Sequence, residues 1–82
     1  MFIYVREQPD LDLARTLRRL REERSLTQEQ LAFEAGITSS GLSRIERGLN
    51  DPGWTTVRRL TDALGISLAE LVASLAEDRH RN

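Results

Sequence analysis

The stretch TQEQLAFEAGITSSGLSRIERG, from Thr27 to Gly48, constrains this chain more than any other. It reads as two short helices joined by a tight turn. Thr27 is a good N-cap, because its hydroxyl can accept from a free N–H of the first turn. Gln30, three residues on, completes a T-x-x-Q capping box. Leu31, Ala32 and Ala35 then form a small apolar face. Gly36 suits the left-handed backbone that ends a helix, having no Cβ to clash. Ile37 follows as a hydrophobic plug. Thr38 caps the next helix, whose apolar positions Leu42 and Ile45 lie three apart. Gly48 is placed to end it.

Helix, glycine turn, helix at this spacing is the helix-turn-helix pattern. In QxxLAxxxGI followed by LSRIERG, the chain resembles the Cro/cI-type (Xre-like) repressors. The matching residues are Gln28, Leu31, Ala32, Gly36, Ile37, Leu42, Ser43, Ile45, Glu46 and Gly48. The resemblance extends from about Leu13 to Leu71 and takes in Pro52, Leu60, Ala63, Leu64 and Leu68. It implies an all-α fold, a bundle of about five helices forming a lambda-repressor-like helix-turn-helix DNA-binding domain. By the same resemblance, Ser39, Ser40 and Arg44 stand at base-reading positions, and Gln28 contacts phosphate while bracing the recognition helix. Arg21 and Glu46 are expected to form a partly buried structural ion pair. The last helix, or its end, is expected to form a homodimer contact. The chain departs from the family at Ser25, often Gly in a left-handed turn, and at Leu49, where a basic residue is common. With Asp51 close by, the second departure weakens phosphate binding and makes a dimer more necessary.

At 82 residues this is one small domain with a limited core, a size often strengthened by dimerisation. No cysteine is present, so there is no disulfide and no thiolate metal site. No apolar run approaches a membrane span, and MFIYVREQ lacks the basic start and long apolar stretch of a signal peptide. The expected location is cytoplasmic, with no membrane partner. The net charge of −1 gives no global attraction to nucleic acid. A DNA-binding reading therefore needs the charge to be placed asymmetrically. All twelve basic side chains are Arg, which can grip phosphate or guanine in a bidentate manner but also follows from genomic base composition.

Three regions are expected. Residues 1–10 form an N-terminal extension, 11–76 the helix-turn-helix domain and 77–82 a polar, frayed tail. Phe2, Ile3, Tyr4 and Val5 favour an extended segment that packs on its own domain, pairs across a dimer axis, or is a disordered start. Asp10 is a natural N-cap for a first helix over about 11–24, with Leu13, Leu17 and Leu20 inward. Leu26 should be core. In WTTVRRLTDALG, the spacing of Trp54, Val57, Leu60 and Leu64 predicts a helix with Trp54 as a core anchor. Ser67 and Glu70 form a second capping box before Leu68, Leu71, Val72 and Leu75.

No enzyme is expected, and no cofactor or metal. One His and no Cys stand in the chain, and the serines lack a neighbouring base. The DNA reading has a direct physical basis, since a major groove admits one α-helix. The residues at the start of the recognition helix meet base edges: Thr38, Ser39 and Ser40, then Ser43 and Arg44. Arg44 is the only long donor among them. Serine hydroxyls both donate and accept, so Ser39 and Ser40 give a permissive readout. Gly41 costs about 1 kcal/mol relative to Ala there. It either lets the backbone approach DNA or marks an imperfect helix start. Thr27 and Gln28, at a helix start whose free N–H groups attract anions, together with Thr38, Arg47 and Asn50, are the candidate phosphate contacts. The expected function is a sequence-specific transcriptional regulator, a dimeric repressor on double-stranded DNA. The alternatives are an antitoxin or other module with a protein partner, and a helical scaffold that no longer binds DNA.

Overall fold

The computed structural model describes residues 10–81. The segment Phe2–Val5 lies outside them. Five helices follow in order: α1 (Leu11–Glu23), α2 (Gln28–Ala35), α3 (Ser39–Glu46), α4 (Trp54–Leu64) and α5 (Leu68–Arg81). No strand occurs among the described residues. The helix ends are set by local chemistry. Asp10 accepts from the amides of Asp12 and Leu13 at 3.0 and 3.1 Å. Thr27 and Gln30 cap each other reciprocally at 2.8 and 3.1 Å. Ser67 and Glu70 do the same at 3.0 Å each. Gly36 is left-handed at φ 71°. So is Ser25, at φ 56°, with its N–H on the carbonyl of Glu22. The turn after α1 thus keeps the left-handed geometry although serine strains it by about 1–2 kcal/mol.

Leu17, Leu31, Leu42 and Leu60 are wholly buried, one from each of the first four helices. Each contributes about 1.5–3 kcal/mol through removal from water. Ala32, Ala35, Leu20, Ile45, Leu64 and Leu71 complete the core, with Leu26, Ile37 and Val57 packed at its margin. α2 packs on α3 and α4, while α1 packs on α3 and α5.

Two expectations fail. Trp54 is not a core anchor: it is 62% exposed. As the first residue of α4, its Cβ points back toward the helix start, away from the buried Leu60, Thr61 and Leu64 further along. The polar tail from 77 onward is instead the end of α5, which continues to Arg81. Asp78 holds it in place, accepting from the hydroxyl of the buried Thr16 at 2.7 Å and from Arg19 Nε at 3.0 Å. Arg79, His80 and Arg81 in the last turn also suit the negative end of the helix dipole.

Burial alone would raise the Asp78 carboxyl. The hydrogen bonds from Thr16 and Arg19 and the charges of Arg19 and Arg81 outweigh it and bring the group below its ordinary 3.8. A carboxyl depressed on folding stabilises the fold above its unfolded value, and that stability is lost as pH falls through the folded value. Wild-type melting temperature should therefore drop between about pH 5 and pH 2. Asp78→Asn should lower the melting temperature at neutral pH and flatten that acid limb. An equally steep limb in the variant would remove Asp78 as its cause.

Candidate nucleic-acid interface

α3 is held by one face and open on the other. Leu42, Ile45 and Glu46 are buried, while Ser39, Ser40 and Arg44 are exposed and Ser43 is half-buried. Thr38, itself exposed, starts the helix with its Oγ1 accepting from Gly41 N at 3.0 Å. A Cβ at Gly41 would lie 2.9 Å from that hydroxyl. A side chain there would require the Thr38 hydroxyl to shift, a crowding that the sequence alone does not reveal.

The orientation of α3 is fixed by a buried polar cluster. Arg21 donates to Glu46 through Nε at 2.8 Å and Nη2 at 2.9 Å. Its Nη1 reaches the Leu26 carbonyl at 2.7 Å. Gln28 adds a third donor to Glu46, at 3.0 Å. The side chains of Arg21 and Glu46 are only 11% and 2% exposed. The hydrogen bonds to Glu46 raise Arg21 above the ordinary guanidinium value against the opposing effect of burial. α1, the start of α2 and α3 therefore share one cluster. Gln28 is half-buried with one Nε2 hydrogen on Glu46, so what it can offer a ligand is its second Nε2 hydrogen and its backbone N–H at the start of α2. Thr27 is committed to its capping box through its hydroxyl oxygen and its N–H.

The charge is placed unevenly. Every arginine of α1 has a carboxylate partner: Arg15 with Asp12, Arg18 with Glu22, Arg19 with Glu23 and Asp78, Arg21 with Glu46. Arg44 and Arg47, both exposed, have none among the described residues, and the same holds for Arg24, Arg58, Arg59 and Arg81 elsewhere in the domain. Arg47 makes only a 3.4 Å contact to the Ser43 carbonyl. Asp51 accepts from the Asp10 N–H at 2.6 Å, which ties the loop after α3 to the start of α1.

Asn50, also exposed, lies beside Arg44. With its amide oriented to satisfy both ends, Oδ1 accepts from Arg44 Nε at 3.0 Å and Nδ2 donates to the Leu49 carbonyl at 2.8 Å. Sequence reasoning misses this pairing, and it also misses Arg24, which donates to the Leu64 and Leu20 carbonyls at 2.8 and 2.9 Å. That second arrangement locks the end of α4 to α1.

A family model described as a helix-turn-helix domain matches residues 12–75. The chain is 42% identical over 59 residues to an uncharacterized HTH-type transcriptional regulator of Sinorhizobium fredii, covering 72% of this chain and 77% of that protein. It is 43% identical over 67 residues to the HTH-type transcriptional repressor RghR of Bacillus subtilis, covering 78% of this chain but only 50% of that protein. Among solved structures, the restriction-modification controller protein C.AhdI from Aeromonas hydrophila aligns with a TM-score of 0.72 at 34% identity, covering 74% of this chain and 92% of that one. The buried Arg21–Glu46 pair, the exposed face of α3 and these relatives lead to one assignment: the chain belongs to the Cro/cI-type (Xre-like) helix-turn-helix family of transcriptional regulators.

Proposed function

We infer that this chain is a cytoplasmic, sequence-specific DNA-binding transcriptional regulator, a dimeric repressor that inserts α3 into the major groove. The observation that carries this reading is the two-sidedness of α3. Its inner face is locked by Leu42, Ile45 and Glu46, and its outer face presents Ser39, Ser40 and Arg44 to solvent. An eight-residue helix is about 12 Å long, comparable to the width of the groove. Arg44 reads guanine, and Ser39, Ser40 and the half-buried Ser43 tolerate several bases. Phosphates meet the N-terminal turn of α2 at the Thr27 hydroxyl hydrogen and at Gln28, the α3 cap at Thr38, and Arg47. On α5, Leu68 and the 57% exposed Val72 lie one turn apart and would be covered by a second copy.

Selection of bound sequences from random DNA tests this. The expected product is a near-palindrome with half-sites about 34 Å apart, one helical turn, each holding a guanine. Affinity for it should fall steeply with salt, the slope of log K against log[salt] being about −0.9 per phosphate neutralised. No enriched sequence and a flat salt response would shift the reading to the alternative, an antitoxin or other protein-interaction module on the same fold. One observation favours that second reading: Phe33 on α2 is 84% exposed, a large apolar side chain that the described residues leave in solvent.

A further inference from the structure

We propose that Asn50 is a specificity-determining residue, which positions Arg44 for guanine rather than contacting phosphate. The proposal rests on the reading of Arg44 as the base reader. Asn50 sits in the loop that leaves α3 through the left-handed Gly48. The loop is pinned to the helix end by the Leu49 N–H on the Arg44 carbonyl at 2.9 Å. The Asn50 amide therefore bridges a fixed piece of backbone, the Leu49 carbonyl, to a long and otherwise free side chain. Oδ1 and one Nδ2 hydrogen are engaged, so only the second Nδ2 hydrogen is left for a phosphate oxygen.

The consequence for Arg44 is geometric. Guanidinium carries five N–H donors in a planar fork. With Nε against Asn50 and Nη2 3.5 Å from the same amide, the outward hydrogens of Nη1 and Nη2 are the ones left free. They match O6 and N7 of guanine, two acceptors on one base edge. An untethered arginine samples many rotamers and must order on binding. Holding Nε beforehand removes part of that cost and selects the end-on approach. Asn suits the role because one neutral group both accepts from Arg44 and donates to the backbone. A carboxylate could accept but would repel the phosphates.

The test uses the full chain and two probes: the duplex recovered by selection with wild type, and the same duplex with its selected guanines replaced by adenines. The readout is the ratio of the two affinities. Asn50→Ala should lower that ratio by about 3- to 10-fold, the weight of one net hydrogen bond. Asn50→Asp keeps the acceptor, so it should lower affinity for both probes through repulsion while retaining most of the ratio. In an Arg44→Ala background, Asn50→Ala should change the ratio no further.

A loss of equal size on both probes in Asn50→Ala, with the ratio preserved, would assign Asn50 to phosphate and overturn the proposal. A ratio as low in Asn50→Asp as in Asn50→Ala would overturn it too. If Arg44→Ala itself leaves the ratio intact, the base-reading role of Arg44 fails and the brace fails with it. If Arg44→Ala lowers the ratio and Asn50→Ala does not, only the brace is lost.

Discussion

Replacing Arg21 with methionine is expected to destabilise the domain by about 3–5 kcal/mol, read as a lower midpoint in urea at neutral pH. Glu46 is the reason. Its side chain is 2% exposed and takes two of its three hydrogen bonds from Arg21. Without the guanidinium, a carboxylate stays out of water with only the Gln28 amide facing it. The Leu26 carbonyl loses a donor in the same step. A small domain has a total stability near the low end of about 5–15 kcal/mol, so the variant should be partly unfolded at room temperature. The double variant Arg21→Met, Glu46→Leu separates charge stranding from lost packing. Apolar replacement of a whole buried pair is often close to neutral, so the double variant should recover much of the loss. A cost below about 1 kcal/mol in the single variant would class the pair with exposed ones and remove it as the anchor of α3.

What was legible in the sequence divides by the range of the interaction. Caps and turns are written within four residues, so Asp10, Thr27 with Gln30, Gly36 and Ser67 with Glu70 each announce a helix end that the fold realises. The exposed register of Ser39, Ser40 and Arg44 follows from helical period once Leu42 and Ile45 are placed inward. Longer reach is not written this way. The pairing of Arg21 with Glu46 came through the family resemblance, since 25 residues separate the partners. Thr16 and Asp78 are 62 residues apart and nothing in their spacing joins them, so the end of α5 reads as a tail until its partner on α1 is seen. Trp54 fits the apolar period of α4 and still fails, because a periodic stripe does not say where the neighbouring helices stop. Net charge misleads in a similar way. The sum of −1 hides that the α1 arginines are neutralised in pairs while Arg44 and Arg47 are not.

Arg44→Ala should cost about 1–3 kcal/mol of discrimination per half-site, hence roughly twice that on a symmetric duplex bound by two copies. The loss should fall on sequence preference more than on stability. Arg44 is exposed and lies on the face of α3 opposite Leu42 and Glu46, so its truncation should move stability by no more than about 0.5 kcal/mol. Arg44→Lys distinguishes charge from shape. Lysine keeps the cation, so the salt slope should stay near that of wild type, but an ammonium has no planar fork to span O6 and N7. The guanine preference should therefore weaken in the lysine variant although attraction to the backbone persists. With Arg44 gone, the remaining outward side chains are the serine hydroxyls of Ser39 and Ser40, which accept from or donate to any base edge. A second round of selection with the alanine variant should then return a degenerate half-site of the same spacing, because in the proposed dimer the spacing comes from the contact between the two copies and not from α3. Recovery of the unchanged wild-type motif would take Arg44 out of the readout and leave the serines as the source of whatever preference exists.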